Sequence, residues 1–304
     1  MAESSILSQC VVELKKQKNA LILAHNYQVE EVQQVADFIG DSLELSRQAA
    51  ASRHGIIVFA GVRFMAETAK ILAPDKRVLL PRLDAGCPMA DMLTVDDLAE
   101  LKKQHPQAMV VTYVNSSAEI KAESDICCTS ANAVELVRKV AARQIIFVPD
   151  QNLGRYVQRM VPEKEIILFE GYCYVHNRIK AWEIEETKKL HPQAMVIVHP
   201  EVRLEVIDLA DQVLSTSGML RFVNQSHEHE FIVATEQGLL QRMQRENPEK
   251  SFYPAFRPKI CSNMKRTSLA DVHDSILEEK YEIKVEPQIA AKAWHSLREM
   301  LKYG

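Results

Sequence analysis

The chain carries six cysteines, Cys10, Cys87, Cys127, Cys128, Cys173 and Cys261, and no two of them form a CxxC pair. Spacing along the chain therefore offers no zinc or ferredoxin-type signature. Three of the six nevertheless share a position. Cys87 lies 62 residues after His25, Cys173 lies 60 after Tyr113, and Cys261 lies 62 after His199. Each closes a similar phrase just beyond an apolar run: VLLPRLDAGC, IILFEGYC and PAFRPKIC. A single buried cysteine is most often a small hydrophobe, and Cys10, Cys127 and Cys128, which lack counterparts, read as core or helix-start residues. Three thiols in register are different, because related units can bring them to one point. Three thiolates at one point are a metal site. A closed structural zinc site wants a fourth protein ligand, whereas soft thiolates also suit iron-sulfur clusters. A [4Fe-4S] cube on three cysteines leaves one iron free to act on a substrate as a Lewis acid.

The register rests on a repeat. KKQHPQAMVVTYVN, from Lys102 to Asn115, returns 86 residues later as KKLHPQAMVIVHPE, from Lys188 to Glu201. A third, worn copy is KKQKNALILAHNYQ, from Lys15 to Gln28. Twelve residues after His25, Tyr113 and His199 come Asp37, Asp125 and Asp211; seventeen after them come Ser42, Ser130 and Thr216. Each copy reads helix, strand, helix, short strand, helix, strand, helix, strand. Strands alternating with helices imply right-handed crossovers and parallel sheets covered on both faces. The expected fold is therefore α/β: three homologous three-layer α/β/α domains with pseudo-threefold symmetry. The expected boundaries are 1–88, 89–174 and 175–304. The last includes a helical tail from about Thr267 that covers the third unit or closes back on the first. A solenoid ranks lower, since its repeats are shorter and simpler.

Ligands of parallel α/β sheets bind outside the carboxyl ends of the strands. His25, Tyr113 and His199 follow the first strand of their units, and Tyr27, Asn115 and Glu201 share the next register position. His25, His199 and Tyr113 are proton-transfer candidates, with Glu201 as base. Ser42, Ser130 and the pair Ser215 and Thr216 read as helix N-caps. Hydroxyl caps with free N–H groups favour anions, so the expected substrate carries carboxylates or a phosphate. His176, three residues after Cys173, is within reach of the same cavity, although the repeat does not support it. Lys265 and Arg266 read as a solvated helix start.

Composition excludes several classes. The chain is 47% apolar and 26% charged, with net charge -4, which makes no electrostatic case for nucleic acid or an anionic membrane. No cationic stretch followed by an apolar core opens the sequence, and its apolar runs fall far short of the roughly 20 residues of a membrane span. A cytoplasmic protein is expected. GxGxxG, P-loop and HExxH motifs are all missing.

The phrases AHNYQVEEVQQVADFIGDSLELSR, GCPMADM, VTYVNSSAEIKAESDICCTS, FVPDQNLGRYV, GYCYVH, VIVHPE, STSGM and CSNMK occur in order between about residues 20 and 265. Together they resemble the quinolinate synthase family. The resemblance implies three α/β domains around a central [4Fe-4S] cluster and a place in NAD biosynthesis. It implies condensation of iminoaspartate with dihydroxyacetone phosphate to quinolinate, with release of phosphate and two waters. It carries the cluster ligands onto Cys87, Cys173 and Cys261. Substrate binding falls on His25, Tyr27, Ser42, Tyr113, Asn115, Ser130, His199, Glu201, Ser215 and Thr216, and proton transfers fall on Tyr113 and Glu201. Coupling to an enzyme that supplies iminoaspartate is a further implication. Two departures are visible. Val202 stands where many members have a cysteine, and the extra cysteines that longer members carry near the last ligand are missing. Two other classes stay open: an iron-sulfur metabolite sensor without catalysis, and a cluster-free aldolase-like enzyme using an unassigned lysine.

Overall fold

Apolar runs of four to six residues, each bounded by polar or helix-starting residues, become parallel strands in the computed structural model, which describes residues 2–303. In the first unit α1 (Ala2–Gln17), β1 (Ala20–His25), α2 (Glu30–Val35), β2 (Phe38–Gly40), α3 (Ser42–Ala51), β3 (Ile56–Ala60), α4 (Arg63–Leu72) and β4 (Arg77–Leu79) follow in turn. The second repeats them as α5 (Val95–Gln104), β5 (Met109–Tyr113), α6 (Ala118–Ala122), β6 (Ile126–Cys128), α7 (Ala133–Lys139), β7 (Gln144–Val148), α8 (Gln151–Met160) and β8 (Glu165–Leu168). The third begins with the short α9 (Tyr174–Asn177). It continues as α10 (Ala181–Leu190), β9 (Met195–Val198), α11 (Leu204–Ile207), β10 (Gln212–Val213), α12 (Thr216–Gln225), β11 (Glu230–Ala234), α13 (Gln237–Glu246) and β12 (Ser251–Pro254).

The three sheets have one topology. Their orders are β2-β1-β3-β4, β6-β5-β7-β8 and β10-β9-β11-β12, with every named strand pair parallel. Helices cover both faces of each sheet, which is why central strands such as IIVFA are buried at every residue.

The tail does not cover the third unit. Of the two expected placements, closure back on the first is the one α14 (Leu269–Glu278) takes. Its Leu269, Val272 and Ile276 join Val11, Ile22 and Val58 in one apolar cluster, each burial contributing roughly 1.5–3 kcal/mol. The last helix, α15 (Pro287–Met300), packs on α6 and β6 of the second unit and α4 of the first. The Cys127 thiol in β6 donates to Ser296 of α15 at 3.4 Å. Cys127 and Cys128 are fully buried core residues, while Cys10 is exposed on α1. Among the described residues no helix is long and apolar enough to cross a membrane.

Candidate active site

Three repeated sets of bonds deliver the site. First, the aspartates in register brace the first strands. Asp37, Asp125 and Asp211 accept from the N–H groups of Ile22, Val110 and Val196 at 2.8, 2.7 and 2.7 Å. Their own N–H groups return bonds to the carbonyls of the same residues. Second, the residue opening the helix after each third strand donates to the carbonyl two residues before each cysteine. These bonds are Arg63 to Ala85 at 2.9 Å, Gln151 to Gly171 at 2.8 Å and Gln237 to Lys259 at 2.8 Å. Gly171 is required there, since a Cβ would stand 2.5 Å from the Pro149 carbonyl oxygen. Third, each sulfur faces the backbone N–H three residues on, at Ala90, His176 and Met264.

The result is one shared cavity of about 70 Å³. Cys87, Cys173 and Cys261 line it, together with His25, Tyr27, Ser42, Tyr113, Asn115, Ser130, His199, Glu201 and Thr216. Burial raises all three thiols, Cys87 to about 12. Thiols so raised hold their protons at neutral pH and would have to release them to ligate a metal.

The two histidines in register are alike in detail. Nδ1 of His25 accepts from the Tyr27 N–H at 3.1 Å, and Nδ1 of His199 from the Glu201 N–H at 3.4 Å. Burial pushes both imidazoles down to about 3, against the weaker opposing pull of Glu201. Each is thus a neutral ring whose proton sits on Nε2, a hydrogen-bond donor rather than an acid at neutral pH.

Glu201 is the hub. Its Oε1 accepts from the Tyr113 hydroxyl at 2.6 Å, and its Oε2 lies 2.5 Å from Nδ1 of His176. Burial alone would raise this carboxyl, but His176, His199 and Tyr113 outweigh it and hold the group below the usual carboxylate range. Burial and Glu201 together raise the hydroxyls of Tyr113 and Tyr27. Nε2 of His176 lies 2.9 Å from the Thr235 hydroxyl and 3.3 Å from that of Tyr27. A continuous hydrogen-bonded chain runs from Tyr27 and Thr235 through His176 and Glu201 to Tyr113.

The capping pattern differs from expectation. Asp41, not Ser42, caps α3, accepting from Leu43 and Glu44 in a capping box. Ser130 lies in a loop, and Asn132 is the cap residue of α7. Ser215 does cap α12, but its hydroxyl also donates to Asp41 at 3.2 Å. It lines a neighbouring groove of about 220 Å³, which shares Ser130 with the central cavity. Asn115 holds a buried Oδ1 with no partner, an acceptor left for a ligand.

Of the residues that the repeat left aside, His176 proves central and Lys265 was misread. His176 is central although the repeat gave it no support; its signal was the Cys-x-x-His spacing, one helical turn. Lys265 is not solvated but bonds Glu236 at 3.1 Å and the Tyr27 carbonyl. Arg266 is exposed, as expected, and pairs with Asp84.

Among the described residues one group of possible metal ligands stands close together: atoms of Cys173, His176 and Glu201 lie within 4.8 Å of one another. His176 and Glu201 already satisfy each other and their neighbours, so no ion is needed to explain them. Cys87, Cys173 and Cys261 line the cavity on equivalent turns, each with an N–H aimed at its sulfur, and thiolates are the donors that an iron-sulfur cluster takes.

A family model described as Quinolinate synthetase A protein matches residues 9–302. The quinolinate synthase of Thermodesulfovibrio yellowstonii is 55% identical over 291 residues, covering 96% of each chain. That of Caldicellulosiruptor bescii is 51% identical over 299 residues, 98% of this chain and 99% of the relative. That of Alkaliphilus metalliredigens is 48% identical over 302 residues, 99% of each.

Proposed function

The chain belongs to the quinolinate synthetase A family, an enzyme family of NAD biosynthesis, and on that premise we propose that it condenses iminoaspartate with dihydroxyacetone phosphate. The products are quinolinate, phosphate and two waters. One observation carries the reading: three cysteines from three repeats line the same cavity as Tyr113, Glu201 and two neutral histidines.

Cys87, Cys173 and Cys261 would hold a [4Fe-4S] cluster. When bound, such a cluster supplies Lewis acidity from the one iron without a protein ligand. The side chains around it do the rest. His25 and His199 present Nε2–H groups that bind carboxylate oxygens without adding charge. Ser42 and Thr216, in the first turns of α3 and α12, and Ser130 offer hydroxyls and N–H groups to anionic oxygens.

Glu201, held ionised, takes a proton from the substrate. Tyr113 then passes its own proton to a departing oxygen and receives the one on Glu201. A free tyrosinate in this buried place would be costly, so the coupled transfer avoids it. Asn115 Oδ1 accepts from a substrate N–H or hydroxyl. Tyr27 holds His176, and through it Glu201, in position. The same repeat supports division of the chain at residues 88 and 174, while the place in NAD biosynthesis that the family implies supports a cytoplasmic setting and functional coupling to a source of iminoaspartate.

The experiment is an anaerobic iron and sulfide determination beside a quinolinate assay. About four irons and four sulfides are expected, lost in Cys87→Ser, Cys173→Ser or Cys261→Ser. A loaded protein that forms no product would leave a metabolite sensor instead. Product formation without iron would leave the lysine-based aldolase.

A further inference from the structure

Two carboxylates with no part in the proton transfers stand behind two of the three cysteines. Asp150 follows β7 and caps α8. Its Oδ1 accepts from Asn152 at 2.8 Å and Leu153 at 2.9 Å. Its Oδ2 turns the other way and accepts from the N–H of Cys173 at 3.2 Å. Glu236 follows β11 and does the same for α13 with a side chain one methylene longer. Its Oε2 accepts from Gly238 at 2.6 Å, and its Oε1 from the N–H of Cys261 at 3.2 Å. Both residues are fully buried. Lys265 accompanies Glu236, but no lysine or arginine pairs with Asp150 among the described residues. The equivalent residue after β3 is Val62, which has no capping bond.

A buried carboxylate is a costly way to cap a helix, since serine or asparagine caps as well without charge. Neither of those offers two acceptor oxygens on separate arms. Only a carboxylate can cap the helix with one oxygen and grip the cysteine amide with the other. That two units use this device at two side-chain lengths argues that the second grip, not the cap, is the reason for it.

We propose that Asp150 and Glu236 are positioning residues that clamp the backbone of Cys173 and Cys261 to the helices α8 and α13, leaving Cys87, backed by Val62, the least restrained of three cluster ligands. The proposal rests on the three-cysteine reading above. Groups that hold metal ligands in this way change metal retention without touching the metal.

Asp150→Ser and Glu236→Ser, singly and together, keep a cap and remove the second arm. Each full-length variant is reconstituted anaerobically beside the wild type, and iron release to an added ferrous chelator is timed. Release about tenfold faster in each single variant and about a hundredfold faster in the pair is expected. The electron paramagnetic resonance line shape of the reduced cluster should also change. Wild-type release rates with an unchanged spectrum overturn the clamp. Should a serine variant fail to fold, Asp150→Asn and Glu236→Gln, which keep the volume but only one acceptor, are read by the same two measurements with the same outcomes. A wild type that takes up no cluster overturns the metal reading, and this inference with it.

Discussion

The Tyr113 hydroxyl donates to Oε1 of Glu201 at 2.6 Å, joining the end of a strand in the second sheet to the loop after a strand in the third. Under the proposed mechanism this bond makes proton transfer depend on both units at once. In Tyr113→Phe the ring and its packing remain, and the three cysteines are untouched. Turnover is expected to fall about tenfold to a thousandfold with iron content unchanged. A phenylalanine enzyme as fast as wild type would remove the relay.

Stability of the cluster-free protein should fall in mild acid because of His25 and His199. Both fold with imidazoles near 3, far below the 6.5 of the unfolded chain. The unfolded state therefore binds protons that the folded state refuses. The stability is complete above about pH 6.5 and is lost as pH drops toward 3. At pH 5 the loss is about 2 kcal/mol for each ring. Urea midpoints at pH 7 and 5 test this. His25→Gln and His199→Gln should each lessen the drop, and an undiminished drop in the double variant would assign it elsewhere.

How much of this could be seen beforehand is instructive residue by residue. The sheets were legible because the apolar runs and the aspartates keep one spacing, and Asp37, Asp125 and Asp211 prove to brace equivalent strands. The cysteines were legible for the same reason. Ser215 caps its helix as expected, but the caps of α3 and α7 were misread through the hydroxyl residues: in GDSLEL the pair Asp41 and Glu44 has capping-box spacing, whereas Ser42 does not. His176 could not emerge from the repeat because only α9 supplies it. Lys265 was mistaken for a surface residue because its partner, Glu236, lies 29 residues earlier and meets it only in the fold.

The bracing aspartates should matter equally. Asp125→Ala and Asp211→Ala each leave a strand N–H without its charged acceptor, a loss of about 1.5–3 kcal/mol. Asp37→Ala also gives up Lys15 at 2.8 Å, a partly exposed pair that adds little. Similar drops in urea midpoint across the three variants are the expected outcome. One variant without effect would show that its strand is held by packing alone.

Lys121 supplies a test of opposite sign. It is fully buried on α6, donating to the Phe64 carbonyl at 3.2 Å with its ammonium 5.3 Å from the Phe64 ring centre, and among the described residues no carboxylate lies within ion-pair distance. Burial lowers it from 10.5 to about 8, the nearby Glu67 only partly opposing. Below pH 8 both folded and unfolded chains carry the charge, so the folded state bears the whole cost of burying it. Above about 10.5 both are neutral and the cost vanishes. Wild-type stability should therefore rise relative to Lys121→Met between pH 8 and 10.5, by up to about 3 kcal/mol. At pH 7 the methionine variant should equal or exceed the wild type, since Phe64 keeps the Thr68 hydroxyl at 2.8 Å as a donor. Denaturant midpoints of the two proteins at pH 7, 9 and 10.5 decide it. A constant gap across that range would mean that the buried ammonium keeps its ordinary affinity for protons in the fold.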